Sequence, residues 1–197
     1  MNKEIERKYS IKNLPDNLLI TKIIDIEQTY VWIDNNTIIR IRKVLDRKEE
    51  KTQYIYTIKT KGDIQNGDNQ NICQKYEIES NISEKEYEEL KQKKISNFIN
   101  KTRIIAPIED ELKVEIDIYY DYLEGFLTAE IEFPNELSAE NFNKPDWLGE
   151  ELGYKEFSNG KLARMTKEEL ESKVSTQFMQ NNKDIISKLK QKISFSY

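Results

Sequence analysis

In seven short stretches of this chain charge recurs two residues apart, and that alternation is the feature that most restricts its fold. In Glu4-Ile5-Glu6-Arg7-Lys8 a strand places Glu4, Glu6 and Lys8 on one face and Ile5, Arg7 and Tyr9 on the other, because successive strand side chains point to opposite sides. The period returns in Arg40 and Arg42 around Ile41, and in Thr57, Lys59 and Lys61. It returns again in Lys75, Glu77 and Glu79, in Lys101 and Arg103, in Glu115 and Asp117, and in Glu130 and Glu132. A sheet with its charged face in water accounts for alternation alone. It does not account for like charges two residues apart, which repel unless opposite charge lies close. A barrel with the charged face inward lets basic and acidic strands compensate each other and leaves a site for an anion and a metal. Its apolar outer face then has to be covered by helices.

Length and composition narrow the chemistry. The 197 residues suit one domain with a real core. A net charge of -5 gives no global attraction to nucleic acid or anionic membranes, so a basic site has to be local. No apolar run approaches bilayer length and the first residues are charged strand, so the expectation is a cytoplasmic protein. One cysteine, Cys73, excludes an internal disulfide and fits a reducing compartment. With no histidine at all, the usual general base, the commonest zinc ligand and every Ser-His or Cys-His device are missing. Carboxylate oxygens suit hard cations such as Mg2+ or Mn2+, which share substrate phosphate oxygens. The chemistry therefore points to phosphoryl transfer.

The pattern predicts strands at 3–11, 23–34, 37–46, 52–61, 71–80, 97–106, 112–121 and 126–133, with a helix at 83–94. Asp34-Asn35-Asn36 and Glu124-Gly125 read as tight turns joining antiparallel hairpins, and 62–69 as a mobile hairpin loop. Ser83 before Glu84-Lys85-Glu86 resembles a capping box, with Tyr87 and Leu90 on the buried stripe. After Pro134 the chain reads as irregular up to a helix near Thr166. Ile185, Ile186, Leu189 and Ile193 mark an amphipathic helix that packs on the barrel or on a partner. Residues 1–165 thus form the barrel domain and 166–197 a helical segment. Trp32 and Trp147 read as packing residues.

The opening motif resembles the ExExK signature of the CYTH superfamily, the triphosphate tunnel metalloenzymes. In the same order Arg40-Ile41-Arg42 resembles the family's RxR, Thr57-Ile58-Lys59 its TxK, Glu77-Ile78-Glu79 its middle ExE and Lys101-Thr102-Arg103 its KxR. Glu115-Ile116-Asp117 resembles its ExD and Glu130-Ile131-Glu132 its final ExE. Seven motifs in family order at strand spacing are a specific match over residues 3 to about 164. The resemblance implies a mainly β protein, an eight-stranded antiparallel barrel enclosing a charged tunnel with helices outside. Glu4, Glu6 and Glu132, with Glu130 nearby, would hold Mg2+ or Mn2+. Arg40, Arg42, Lys59 and Arg103 would bind phosphates, Lys8 would lie beside the reacting phosphate, and Lys161, with Arg164 as the alternative, would reach in from a late segment. Glu77, Glu79, Glu115 and Asp117 would orient water or fix the cations. The implied activity is metal-dependent hydrolysis of inorganic triphosphate, with nucleoside or thiamine triphosphate as alternative substrates and a non-catalytic polyphosphate or nucleotide sensor as the alternative class. The implied partner is a small triphosphate, with no nucleic acid or membrane, on a monomer or homodimer.

Overall fold

The computed structural model describes residues 2–61, 73–109 and 111–194. The loop expected at 62–69 lies outside them, as do the expectations for the Lys61, Cys73 and Lys75 side chains. Nine strands form one antiparallel sheet: β1 (Asn2–Ile11), β2 (Lys22–Ile33), β3 (Thr37–Asp46), β4 (Lys51–Lys61), β5 (Cys73–Ile82), β6 (Ile99–Pro107), β7 (Lys113–Tyr119), β8 (Leu127–Glu132) and β9 (Leu148–Glu151). Their order is β5-β4-β3-β2-β6-β7-β8-β1-β9. β1 pairs with β8 along Glu6–Tyr9, and along Asn2–Glu6 it pairs with β5 as well. Around the sheet lie α1 (Glu84–Lys91), α2 (Glu136–Glu140), α3 (Tyr154–Phe157), α4 (Asn159–Leu162), α5 (Lys167–Lys173) and α6 (Thr176–Ser194). None of the described helices is long and apolar enough to cross a membrane.

Eight strands fall where alternation predicts them, and β9 corrects the expectation of irregular chain after Pro134. Four residues are too few to show a period. β9 joins the outer half of β1, where Gly149 crosses so close that a Cβ there would collide with the Ser10 hydroxyl. Arg7 fastens the same junction, its Nε and Nη2 donating to Glu151 at 2.7 Å each.

The turns and caps follow local chemistry. Asp34 Oδ1 accepts from the backbone N–H of Asn36 and Thr37 at 2.7 Å, closing the β2–β3 hairpin. Gly125 turns the chain into β8 with φ +90, a conformation that an L side chain rarely adopts. The Ser83 capping box is present, but α1 ends at Lys91, short of the predicted residue 94. Tyr87 anchors this helix across the sheet, its ring 5.1 Å from that of Tyr54 and its hydroxyl donating to Glu27 at 2.8 Å. Trp32 is 53% exposed and donates to Asp34, which corrects its reading as a packing residue. Trp147 does pack against the core.

The alternation divides the molecule as expected. The apolar face of the strands supplies Ile5, Tyr9, Ile23, Ile104, Ile116 and Ile131 to one core cluster, and Ile185, Ile186, Leu189 and Ile193 of α6 complete it. Burial of each such side chain is worth roughly 1.5–3 kcal/mol, so tertiary packing rather than helix propensity holds α6 in place. A second cluster, built on Tyr119, Phe126, Phe157 and Leu162, seats α3 and α4 against the end of the sheet. The charged face of the strands is left to line a cavity.

Candidate active site

That cavity, of about 250 Å³, is lined almost entirely by polar groups. Strand order sorts them by sign. Lys59 on β4, Arg40 and Arg42 on β3, and Lys101 and Arg103 on β6 lie along four neighbouring strands, with neutral Gln28 and Tyr30 on β2 between them. Glu115 on β7, Glu130 and Glu132 on β8, Glu4 and Glu6 on β1, and Glu77 and Glu79 on β5 make up the opposing wall. Among the described residues seven carboxylates therefore face five cations. Beyond the last strand, α4 adds Asn159 and Gly160 to the lining.

Four strands, β1, β6, β7 and β8, carry a deep and a shallow charge. Lys8, Lys101, Asp117 and Glu130 are 2%, 2%, 0% and 6% exposed, whereas their strand neighbours Glu6, Arg103, Glu115 and Glu132 are half-buried or exposed. The deep charges hold one another. Glu130 accepts from Lys8 Nζ at 2.8 Å and from Arg103 Nη2 at 2.6 Å, while Asp117 takes Lys101 Nζ at 2.5 Å and Arg103 Nε at 2.7 Å. Lys8 Nζ also donates to the carbonyl of Phe157 at 2.8 Å, tying β1 to α3. Lys59 pairs with Glu4 at 2.5 Å and Arg40 with Glu77 at 3.2 Å, while Arg42 meets Glu79 and Arg103 meets Glu115. The Nε groups of Arg40 and Arg42 are buried donors with no acceptor among the described residues. Such groups are costly unless a ligand satisfies them.

The protonation states follow from burial and neighbours. Burial, then the Glu130 and Glu4 carboxylates, push the Glu6 carboxyl up to about 7. Burial, then Glu4 and Glu115, raise Glu132 as well. Burial works the same way on Glu130, but Lys8, Arg103 and Lys101 outweigh it and hold that carboxyl well below its usual range. For Glu79 burial is likewise outweighed, chiefly by Arg42 and the Thr57 hydroxyl, and its pKa falls to about 2. On the basic wall, burial and Arg103 bring Lys101 down to about 8, and burial and Arg40 bring Arg42 down to about 10.

Of the residues expected at the site, Glu4, Glu6, Arg40, Arg42, Lys59, Glu77, Glu79, Arg103, Glu115, Glu130 and Glu132 do line this one cavity. Lys8 and Asp117 point to the same side but are sealed beneath it, holding Glu130 and the Lys101–Arg103 pair. Lys161 is exposed and does not line the cavity, because the turn of α4 presents Asn159 and Gly160 instead. Gln28, Tyr30, Ile38, Lys101, Asn159 and Gly160 complete the lining without having been expected there. Lys101 stood in the KxR pair beside Arg103. Gln28 and Tyr30 follow from the β2–β3 hairpin, in which they pair directly with Arg42 and Arg40 and so share their face.

The wall of Glu4, Glu6, Glu130 and Glu132 offers only oxygen donors, the chemistry that suits Mg2+ or Mn2+. Among the described residues no three acidic side chains are already gathered into a coordination shell.

Comparison with known proteins agrees with this geometry. No protein-family model matches the chain. An inorganic triphosphatase from Nitrosomonas europaea is 28% identical over 162 residues, spanning 81% of this chain and 96% of its own length. The crystal structure of the inorganic triphosphatase NE1496 has a TM-score of 0.55 at 25% identity, over 84% of this chain and 97% of that one. A conserved hypothetical protein from Pyrococcus furiosus shares the fold, with a TM-score of 0.50 at 20% identity over 74% of this chain and 94% of its own. Fold and site together define a sheet protein that turns a sorted set of charges onto one internal cavity. With its seven strand motifs and these likenesses, the resemblance to the CYTH superfamily, the triphosphate tunnel metalloenzymes, is borne out.

Proposed function

We propose that this protein hydrolyses inorganic triphosphate to pyrophosphate and phosphate in a divalent-metal-dependent reaction. The observation that carries the reading is the cavity with its basic wall on β4, β3 and β6 opposite an acidic wall on β7, β8, β1 and β5. The inorganic triphosphatase that the chain resembles supports it. In this reading the pairings of β1 with both β8 and β5 make the first eight strands an eight-stranded barrel, and the cavity is its tunnel.

Arg40, Arg42, Lys59, Lys101 and Arg103 bind the phosphates, arginine through its planar fork and lysine as a point charge. Glu4, Glu6 and Glu132 hold the cation with Glu130 beside them, and when bound it neutralises charge on the phosphate oxygens. Water attacks the terminal phosphorus in line; the new P–O bond forms as the bridging P–O bond breaks, and pyrophosphate leaves with the electron pair. Little covalent work falls to the protein, so positioning and charge stabilisation carry the catalysis. Glu77, Glu79 and Glu115 orient the arginines that they contact. Asp117 does the same for Lys101 and Arg103, and Lys8 fixes Glu130.

The lining favours the inorganic substrate over its organic relatives. Among the described lining residues only Tyr30 and Ile38 carry an aromatic or aliphatic side chain, too little to hold a nucleobase or a thiazolium ring. A pure phosphate sensor gains nothing from seven carboxylates. Phosphate release from inorganic triphosphate, ATP and thiamine triphosphate, each with Mg2+, Mn2+ or EDTA, tests the reading. Fast, chelator-sensitive hydrolysis of inorganic triphosphate alone is the expected result. Preference for an organic triphosphate, or tight binding without turnover, overturns it.

A further inference from the structure

Through α4 the cavity gains a donor of a different kind from the charged wall. Asn159 lines it, where a cation had been expected from Lys161. The carboxamide is not free to turn. Tyr119, 1% exposed at the end of β7, donates its hydroxyl proton to Asn159 Oδ1 at 2.9 Å. Burial, against the opposing pull of Lys8, raises the phenol pKa and keeps that proton in place.

With Oδ1 occupied, the Asn159 Nδ2 hydrogens have no acceptor among the described residues. The backbone around Asn159 is pinned on both sides. Lys8 Nζ holds the Phe157 carbonyl at 2.8 Å, the Tyr122 hydroxyl holds that of Leu162 at 3.0 Å, and the Asn97 N–H holds that of Ala163 at 2.9 Å. Every cation of the basic wall is engaged by a carboxylate, so, the Nε groups of Arg40 and Arg42 apart, substrate has to compete for it. Asn159 has no such competitor.

We propose that Asn159 is a substrate-binding residue whose Nδ2 donates to an oxygen of a phosphoryl group bound in the cavity, with Tyr119 as the positioning residue that aims the amide. The inference rests on the triphosphatase reading above. A neutral donor adds a hydrogen bond to a charged oxygen without adding another ion pair for the acidic wall to quench.

The test compares wild type with Asn159→Ala, Asn159→Asp, Tyr119→Phe and the Asn159→Ala/Tyr119→Phe double variant. It measures kcat and KM for inorganic triphosphate with Mg2+, inorganic triphosphate binding by calorimetry, and the thermal midpoint of each protein. Loss of one hydrogen bond to a charged group predicts that Asn159→Ala lowers kcat/KM about 10- to 100-fold. Asn159→Asp costs at least as much, since it sets a charge of the substrate's own sign at that point. Tyr119→Phe raises KM in the wild-type background and costs nothing further in Asn159→Ala, because its effect runs through the amide. If Asn159→Asp does not fold, Asn159→Ser takes its place.

Wild-type KM and affinity in folded Asn159→Ala overturn the inference while leaving the triphosphatase reading intact. An equal cost of Tyr119→Phe in both backgrounds removes Tyr119 from the positioning role. Wild-type protein that neither hydrolyses nor binds inorganic triphosphate overturns the triphosphatase reading, and this inference with it.

Discussion

Glu6 and Glu132 stand directly opposite each other across the β1–β8 ladder, both lining the same cavity. Like charges so placed destabilise a sheet by up to about 1 kcal/mol. Neutralising one of them in Glu132→Gln is therefore expected to raise the thermal midpoint in EDTA while lowering triphosphate turnover at least about 100-fold. Mg2+ should stabilise wild type markedly and the variant little. Equal stabilisation of both proteins by Mg2+ would take Glu132 out of the cation site.

Asp117 is the counter-ion of two buried cations, Lys101 and Arg103. Its removal leaves Lys101 without its ion-pair partner and Arg103 on Glu115 and Glu130 alone, which predicts a loss of about 3–5 kcal/mol for Asp117→Asn. Urea unfolding measures it. A loss below about 1 kcal/mol would mean that Glu130 alone can hold the pair.

Lys101, brought down to about 8 by burial and Arg103, is charged below that pH and loses its charge above it. kcat/KM for inorganic triphosphate should fall above about pH 8, and the limb in kcat should lie higher, because bound phosphate favours the ammonium. Lys101→Arg keeps its charge and should remove the limb. An unchanged limb would assign it to another group.

Glu79 shows the opposite sign. Its pKa of about 2 in the fold lies below its ordinary value of 4.5, so the folded state favours the carboxylate. That stabilisation is complete above about pH 4.5 and is lost as pH falls through about 2. Unfolding midpoints at several pH values between 2 and 5 should show a shallower acid loss in Glu79→Gln than in wild type. Parallel profiles would contradict the Arg42–Glu79 pairing.

Two glycines should differ. A Cβ at Gly149 collides with the Ser10 hydroxyl, whereas one at Gly160 makes ordinary contact at 3.8–3.9 Å with Ile38 and Tyr30. Gly149→Ala should lower the thermal midpoint by several degrees and Gly160→Ala should leave it within about a degree. The reverse order would place the β1–β9 junction incorrectly.

Alternation made the faces of eight strands readable, because burial of one face sets side-chain direction with a period of two. It does not report depth along the axis. Lys8 and Asp117 share the face of the site residues yet lie one step too deep to line the cavity. Neutral members of the lining carried no like-charge signal: Gln28 and Tyr30 become visible only once the β2–β3 register is known. Asn159 depends on how α3 and α4 dock through Phe157 and Leu162, a tertiary packing choice that no local pattern encodes. β9 was hidden because its four residues owe their strand form to the exposed edge of β1 rather than to any period of their own.

The two-residue alternation works like a reading frame. Loss or gain of a single residue within β1 would exchange the solvent of every side chain beyond it, sending Glu6 toward the core and Ile5 or Arg7 toward the phosphates. Related sequences can therefore vary freely in the lengths of their loops, but inside these strands length changes should be tolerated only in pairs or absorbed by a bulge. The β1–β9 pairing contains such an irregularity, between Tyr9 and Ile11, just past the last charged residue that faces inward.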